Sequence, residues 1–259
     1  MRDLGLEEAI RVAGGVGALA KKLGISQPSV SNWSRVPAER VLSVEAATGV
    51  SRATLRPDLY TGHAGMAGEI DEVDAARAQE YALLSVLLAR APDAPLLQRL
   101  ATLRGDASPL GLAHAALAEA AEGTSVERVE REYFDLFIGL GRGELLPYGS
   151  YYLTGFLHER PLARLRAHLD KFGIERAEGQ VEPEDHAAIL CEIMAGLASR
   201  RFSAPAGSDR EMFEQHLAPW IGRFFADLEQ AEAADFYRRV GALGRLFVHI
   251  ETEAFALAA

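Results

Sequence analysis

Apolar residues recur at helical spacing along almost the whole chain of 259 residues. One such face is formed by Tyr81, Leu84, Leu87 and Leu88. Another, near the end of the sequence, consists of Phe236, Val240, Leu243, Phe247, Ile250 and Ala254. Strand-type alternation and hairpin signals are absent from the sequence. The pattern therefore predicts an all-α protein, with roughly nine to eleven helices in its larger part.

The first 60 residues predict short helices separated by glycine turns. The expected helices are Leu6–Ala13, Val16–Leu23, Gln27–Ser34 and Pro37–Thr48. Gly24 and Gly49 follow two of them, where a left-handed residue ends a helix. Ser26 stands at the N-cap of the third helix. Two helices joined by Gly24-Ile25-Ser26, with the small Ala20 at their closest approach, predict a helix-turn-helix.

Composition divides the chain in the same place. The segment from Thr61 to Gly68 is rich in small residues and has no apolar period, so residues 61–74 are predicted to be a linker between domains 1–60 and 75–259. Residues 1–62 carry eight Lys plus Arg against six Asp plus Glu, whereas the remainder carries nineteen against thirty-one. This uneven charge indicates that the two parts have different partners.

The segment from Leu19 to Trp33 reads Leu-Ala-Lys-Lys-Leu-Gly-Ile-Ser-Gln-Pro-Ser-Val-Ser-Asn-Trp. It resembles the Cro/CI-type phage repressor family, most of all its short YdaS-like antitoxin branch. In that family the second helix enters the major groove of DNA. The resemblance implies that polar residues contact bases or phosphates, namely Gln27, Ser29, Ser31 and Asn32, and that basic residues contact phosphates, namely Lys21, Lys22, Arg35 and Arg40.

Two features leave another interpretation of this domain open. Pro28 places a residue without a donor or an acceptor where a polar reading residue is common. The small positive charge of residues 1–62 is also low for a DNA-binding domain, whose affinity depends on neutralising several phosphates. The alternative is a helix-turn-helix that serves dimerisation or protein docking.

Polar and aromatic residues are concentrated in the second domain. Residues 132–143 read Glu-Tyr-Phe-Asp-Leu-Phe-Ile-Gly-Leu-Gly-Arg-Gly, residues 147–152 read Pro-Tyr-Gly-Ser-Tyr-Tyr, and residues 182–186 read Glu-Pro-Glu-Asp-His. No helical histidine pair of the metal-binding kind occurs. Ser150 lacks the Gly-x-Ser-x-Gly context of a nucleophile, and Cys191, the single cysteine, lies in an apolar stripe. The sequence predicts a binding protein rather than an enzyme, with no metal and no cofactor.

These segments resemble the TorD/DmsD/NarJ family of redox-enzyme maturation chaperones, and its TorD branch most. A second match lies at Phe213 to Trp220, Phe224 to Leu228 and Ala234 to Tyr237, in the order of that family's C-terminal helix pair. The resemblance covers about residues 75 to 257 and implies a TorD-like helical bundle after the helix-turn-helix domain. It also implies a cytoplasmic protein that binds an apo-molybdoenzyme, often through its twin-arginine signal peptide, until the molybdopterin cofactor is loaded.

The resemblance also implies which residues bind the client or its signal peptide. They are Tyr133, Phe137, Gly141, Pro147, Ser150, Tyr152, Glu182, Asp185 and His186. An apolar groove between helices would suit the hydrophobic part of a signal peptide. Carboxylates at its rim would suit paired arginines, and four are available: Glu144, Glu182, Glu184 and Asp185.

Each of these motifs also has a structural interpretation. Gly139 to Gly143 predict a helix end and a tight bend, because no strand or Gly-Lys-Ser/Thr sequence accompanies them. Pro147 and Ser150 could simply begin a helix, as could Asp185 and His186. Tyr151, Tyr152, Phe224 and Phe225 are the apolar or aromatic positions most easily explained as core.

The prediction for the whole chain is a molybdoenzyme maturation chaperone acting on the dimethyl-sulfoxide-reductase group. A cytoplasmic location is expected because no apolar run of membrane-spanning length and no leader pattern occurs. The alternative is a DNA-binding transcription regulator whose TorD-like domain senses a client or ligand. The sequence leaves open which client is bound, whether its signal peptide or its mature part is held, and whether the chain forms a homodimer.

Overall fold

The computed structural model describes residues 3–56, 71–176 and 179–257. The chain divides into two compact units, Met1–Glu69 and Ile70–Ala259. We call them the small unit and the large unit. Within the described ranges both consist of helices and the turns that join them, so the predicted all-α class is confirmed.

The small unit contains five α-helices and one 3₁₀ turn in its described part. These are α1 (Leu4–Ala13), α2 (Val16–Leu23), α3 (Gln27–Ser31), the 3₁₀ turn Ala38–Arg40, α4 (Val41–Thr48) and α5 (Arg52–Leu55). Gly24 ends α2 at φ 66° and Gly49 ends α4 at φ 73°, which confirms both predicted left-handed caps. Leu19 and Val30 are fully buried, so α2 and α3 pack as the helix-turn-helix pattern requires.

Two predicted helices of the small unit differ from the structure. The third ends at Ser31 rather than Ser34, because Trp33 donates its N–H to Val30 O at 3.2 Å and closes a tight turn. The fourth begins as a 3₁₀ turn after Pro37, whose ψ of 143° is extended. Ser26 occupies the predicted N-cap, but its hydroxyl lies 2.7 Å from Ser29 Oγ and caps no backbone N–H.

The large unit is a bundle of longer helices. Its α-helices are α6 (Glu72–Ala89), α7 (Ala94–Ala101), α8 (Pro109–Glu122), α9 (Val126–Tyr133), α10 (Gly149–Thr154), α11 (Arg160–Lys171), α12 (Ala187–Ala198), α13 (Ser208–Met212), α14 (Ile221–Gln230) and α15 (Phe236–Leu257). Helix α6 packs along α12, and α15 packs along α14 and α8. None of the described helices has the length and hydropathy of a membrane-spanning segment.

The end of the predicted linker is helical. Residues 61–70 of that linker, with 57–60 of the predicted first domain, lie outside the described residues. Helix α6 already begins at Glu72, inside the predicted range 61–74. Asp71 caps it by accepting from Asp74 N at 2.7 Å, and the acidic first turn favours the positive end of the helix dipole.

Two π-helical turns interrupt the expected apolar faces of the large unit. Phe134–Ile138 continues α9, and Phe213–Leu217 continues α13. The second separates α13 from α14, so the apolar pattern from Phe213 to Leu228 is not one helix. Its aromatic residues still point inward, since Trp220, Phe224 and Phe225 are at most 1% exposed. Core positions are thus confirmed for Phe224 and Phe225.

Candidate binding site

A glycine loop follows the first π-turn. Gly139 has a φ of 60° and ends the turn, with its N–H bonded to Phe134 O at 2.7 Å. At Gly143 a Cβ would lie 2.5 Å from the carbonyl carbon of Phe137, so only glycine fits. The structural interpretation of this segment, a helix end and a bend, is therefore confirmed. The loop leaves Leu140 98% exposed.

The two remaining motifs lie directly against each other. Tyr148 and His186 form an isolated antiparallel β-bridge, in which Gly149 N donates to Asp185 O at 2.9 Å and Ala187 N donates to Pro147 O at 2.8 Å. Pro147 is buried there. The sequence segments 147–152 and 182–186 are thereby brought together.

Helix α10 starts from this bridge with an unusual buried pair. Ser150 N donates to Asp185 Oδ2 at 2.7 Å, which places a carboxylate at the positive end of a helix. Ser150 and Asp185 are 1% and 3% exposed. Ser150 Oγ and Asp185 Oδ1 are buried without a hydrogen-bond partner among the described residues. The pair is thus part of the framework rather than of the open surface.

His186 begins helix α12, as its structural interpretation expects. Its Nδ1 accepts from Ala188 N at 3.1 Å, so in the neutral ring the proton is on Nε2. Burial lowers the pKa of His186, although Glu182 and Asp185 oppose that shift. The imidazole of His186 is therefore neutral and carries its N–H donor on Nε2. Its ring meets the Tyr148 ring edge to face, with centroids 5.1 Å apart.

Tyr148 links the bridge to an exposed carboxylate. Its hydroxyl donates to Glu182 Oε2 at 2.6 Å. Burial, followed by this hydrogen bond to a carboxylate, raises the pKa of Tyr148. Glu182 itself is exposed. Together the two residues form a polar edge next to Leu146 and Pro147.

Two predicted binding residues, Tyr133 and Phe137, pack against the last helix. Tyr133 donates its hydroxyl to Leu88 O at 3.2 Å, and its ring lies 5.0 Å from that of Phe137. Both rings contact Tyr237, at centroid distances of 5.8 Å and 5.5 Å. Burial raises the pKa of Tyr133 to about 12. The two side chains join α9 to α15 and are only partly accessible to a ligand.

Tyr152, on helix α10, is half-buried against the core and contacts two charged residues of α14. Its hydroxyl donates to Asp227 Oδ2 at 2.9 Å, and Arg223 donates to its carbonyl oxygen. The Tyr152 ring also lies 5.6 Å from the Trp220 ring. The remaining predicted residue, Gly141, is exposed in the glycine loop at φ 92° and has no neighbouring atom within 4 Å of an added Cβ.

All four carboxylates expected at a rim accept hydrogen bonds within the protein. Glu144 accepts from Glu232 N at 2.7 Å and Ala233 N at 3.0 Å. Glu184 is 7% exposed and accepts from Arg166 Nε at 2.9 Å, and Asp185 is the buried partner of Ser150. Glu182 is exposed and accepts through Oε2 from a side-chain hydroxyl, that of Tyr148.

An unexpected feature is the density of exposed apolar side chains beside this site. They are Phe134, Ile138, Leu140, Leu153, Phe156 and Leu157, exposed by between 38% and 98%. We call them the exposed apolar set. Arg142 joins the two segments that carry them by donating to Tyr151 Oη at 2.7 Å. Exposed apolar clusters of this kind mark protein-binding surfaces.

In the small unit, the residues predicted to contact DNA are accessible. Gln27, Ser29, Ser31, Asn32, Lys21, Lys22 and Arg35 are all exposed, as is Arg40. Pro28 lies within the first turn of α3, where its missing N–H costs no helical hydrogen bond. Lys22 Nζ donates to Ala47 O at 3.2 Å.

Comparison with protein-family models gives one match in each unit. The model of the nitrate reductase delta subunit matches residues 103–226, and the model of the bacterial toxin YdaS matches residues 6–64. The resemblance of the large unit to the TorD/DmsD/NarJ family is confirmed. The small unit is similar to the helix-turn-helix group predicted for it.

Curated relatives agree with this result for the TorD-like unit. A protein of Shewanella loihica named chaperone protein TorD is 27% identical over 71% of this chain and 96% of its own length. One of the same name from Vibrio cholerae is 29% identical over 45% of this chain. The match spans only 57% of the Vibrio cholerae protein.

A solved structure was also found to be similar. It is that of a redox enzyme maturation protein from Archaeoglobus fulgidus, 19% identical, with a TM-score of 0.45 over 67% of this chain and 93% of the other.

Proposed function

We propose that this chain is a maturation chaperone for a molybdoenzyme. It binds the apo-enzyme, or the twin-arginine signal peptide of that enzyme, before cofactor insertion and export. The client is a member of the dimethyl-sulfoxide-reductase group. Binding is reversible: the chain holds the client while its cofactor site is unfilled, and release follows folding of the client. No catalytic turnover is required.

The observation that carries this proposal is the exposed apolar set beside the bridge of Tyr148 and His186. An incompletely folded client or the hydrophobic part of a signal peptide offers apolar side chains that such a surface can cover. The likeness of the large unit to proteins named chaperone TorD supports the same role.

The polar edge next to the set supports recognition of a peptide. Glu182 presents the exposed carboxylate, and a guanidinium of a signal peptide would pair with it. The Nε2–H of neutral His186 is a donor for a peptide carbonyl in the same place. Because Asp185 is buried and holds Ser150, its truncation would disturb the fold and would not test binding.

The test is a pull-down of the tagged full chain from the cytoplasm of its native cell. We expect an apo-molybdoenzyme precursor to be recovered with the wild-type chain, and to be reduced at least about fivefold by Leu140→Asp with Phe156→Asp, which charges the apolar surface. Leu112→Asp is the matched control, because Leu112 is 60% exposed on helix α8. Recovery of no redox-enzyme client would contradict the proposal.

A binding assay with purified protein separates the two kinds of client contact. A twin-arginine peptide should bind the wild-type chain and bind Glu182→Gln more weakly, since the peptide loses a charged partner. If the peptide does not bind but the apo-enzyme does, the chain holds the mature part of its client.

The exposed reading residues of α3 favour a second candidate function, DNA-binding regulation with the large unit as sensor. The test is gel-shift or sedimentation binding to the DNA upstream of the protein's own gene. Regulation predicts sequence-selective, salt-sensitive binding that Asn32→Ala weakens. Binding that is absent, or that Asn32→Ala leaves unchanged, would favour a role of this unit in protein docking.

A further inference from the structure

A pocket of about 440 Å³ lies between the glycine loop, helix α10 and helix α14. Its volume is in the range of ligand sites, about 300 to 1,000 Å³. Arg142, Leu153 and Arg223 are exposed residues in its lining, so the pocket opens to solvent along one side. It adjoins the exposed apolar set, because Leu153 belongs to both.

Two guanidinium groups in this pocket each lie over a tyrosine ring. Arg142 Cζ lies 5.2 Å from the centroid of the Tyr151 ring, and Arg223 Cζ lies 5.0 Å from that of the Tyr152 ring. Arg142 donates to Tyr151 Oη, and Arg223 donates to Tyr152 O. Stacking and a single hydrogen bond orient each group but leave most of its five N–H donors available.

Neither guanidinium has a carboxylate within ion-pair distance in the described part of the chain. Two acidic residues do line the pocket, Glu144 and Asp227. Both oxygens of Glu144 accept from backbone N–H groups of residues 232 and 233, and Asp227 Oδ2 accepts from Tyr152. Each acid of the pocket thus accepts hydrogen bonds from neutral groups, and each arginine donates to a tyrosine rather than to a carboxylate.

We propose that this pocket binds an acidic side chain of the client, in a segment whose neighbouring residue is apolar. The carboxylate lies between Arg142 and Arg223, and the apolar neighbour covers Leu153. Guanidinium forks match carboxylates bidentately, and stacked arginines lose little further entropy on binding. That the segment comes from the client rests on the proposed function. That the pocket prefers an anion rests on the geometry of the pocket alone.

The test measures binding of two labelled peptides to the purified full chain by fluorescence anisotropy. The probes are acetyl-Gly-Leu-Glu-Glu-Leu-Gly-amide and the same peptide with both Glu replaced by Gln. We expect the acidic peptide to bind at least about tenfold more tightly than its amide counterpart, since charge-assisted hydrogen bonds are lost with the carboxylates. The difference should shrink as salt concentration rises.

Variants assign the preference to the pocket. Arg142→Gln with Arg223→Gln should reduce the preference to within about twofold, whereas Arg142→Lys with Arg223→Lys should retain part of it. Arg90→Gln, an exposed arginine outside the pocket, is the matched control and should leave the preference unchanged. Circular dichroism and thermal unfolding verify that each variant is folded.

Equal binding of the two peptides, no binding of either, or an unchanged preference in the double glutamine variant would overturn the proposal. These outcomes are separate from those of the pull-down. A chain that recovers its client but does not distinguish the peptides is a chaperone without an arginine subsite. A chain that distinguishes the peptides but recovers no molybdoenzyme has the subsite and another client.

Discussion

A single buried carboxylate, Glu132, fixes the start of the last helix. Its Oε1 accepts from Asp235 N at 2.8 Å and Tyr237 N at 2.6 Å, and its Oε2 accepts from Phe236 N at 3.1 Å. Burial raises the pKa of Glu132, and the three N–H donors oppose that rise. Glu132 opens the first motif of the large unit, yet its role is to satisfy the N-terminus of α15.

We therefore expect Glu132→Gln to destabilise the protein by about 1 to 3 kcal/mol, because the amide turns a donor towards N–H groups that need an acceptor. Urea unfolding followed by circular dichroism measures the loss. Glu130→Gln is the control, since Glu130 is exposed on the same helix two residues earlier. Equal stability of the two variants would show that Glu132 does not cap α15.

A pair of histidines joins helix α11 to the second π-turn. His168 Nδ1 lies 2.8 Å from His216 Nε2, and His168 Nε2 lies 3.1 Å from Glu211 Oε1. Burial, then the neighbouring His168 and Arg164, lowers the pKa of His216 from 6.5 to about 4, while Glu211 opposes the shift. The folded state therefore binds fewer protons at His216 than the unfolded state does between these two pH values.

Because of this pair, we expect the folded protein to lose stability in acid. The contribution of His216 is complete above pH 6.5 and is lost as pH falls towards 4. Because the ring is partly exposed and screened, we expect a change of about 1 to 2 kcal/mol. Urea unfolding at several pH values should show a shallower dependence for His216→Phe than for the wild type, and an unchanged one for His249→Gln, whose histidine is exposed. Parallel curves for all three proteins would contradict the assignment.

At the scale of elements, glycines set how closely α14 and α15 pack. A Cβ on Gly241 would lie 2.5 Å from Glu229 N and 2.9 Å from Phe225 O, so the two backbones are in contact there. Gly222, on α14, has more room, because a Cβ added there would lie 3.9 Å from Val248 Cγ1. The two positions have the same residue for different reasons.

Substitution by alanine should separate these two glycines. We expect Gly241→Ala to destabilise the protein by about 1 to 3 kcal/mol, because the helices must move apart. Gly222→Ala should stabilise it by up to about 1 kcal/mol, since alanine loses less backbone entropy in a helix. Thermal and urea unfolding of both variants tests the pair. The same sign of change for both would refute the packing argument.

At the scale of the large unit, one half-buried arginine, Arg77, joins its first helix to its last. Arg77 donates to both oxygens of Glu251, at 2.8 Å and 2.9 Å, and Tyr81 Oη donates to Glu251 Oε2 at 2.9 Å. Asp74 and Asp209 also accept from Arg77. Glu251 is 1% exposed, so its charge depends on these partners.

Truncation of that arginine should be costly. We expect Arg77→Ala to lower the free energy of unfolding by about 3 to 5 kcal/mol, because a buried charge is left uncompensated. Arg77→Met with Glu251→Leu should lose distinctly less, since both charges are removed together. Arg245→Ala, which breaks an exposed pair with Glu229, should cost under about 1 kcal/mol. Equal losses for the single and double variants would show that the ion pair is not the cause.

Local sequence signals were sufficient for the helices, their glycine ends and the family resemblance. Gly24, Gly49 and Gly139 ended helices as expected, and Phe224 and Phe225 were core. These signals are local, because a residue with positive φ or an apolar period of 3.6 is specified by a few neighbours. The apolar pattern did not predict the two π-turns or the end of α3 at Ser31. The choice of backbone hydrogen-bond partner within a single turn decides both features.

The sequence by itself determined the all-α class, the change of character between the two parts and the presence of motifs that resemble those of a family. Only the tertiary structure decided which side chains of those motifs are free. Glu144, Glu184 and Asp185 look alike in the sequence as exposed acids, yet each meets backbone N–H groups or an arginine from elsewhere in the chain. Arg142 and Arg223 look like ordinary surface residues. A carboxylate's availability depends on partners far away in the sequence, 105 positions for Glu132 and Tyr237 and 174 for Glu251 and Arg77, and such partners are fixed by packing rather than by neighbouring residues.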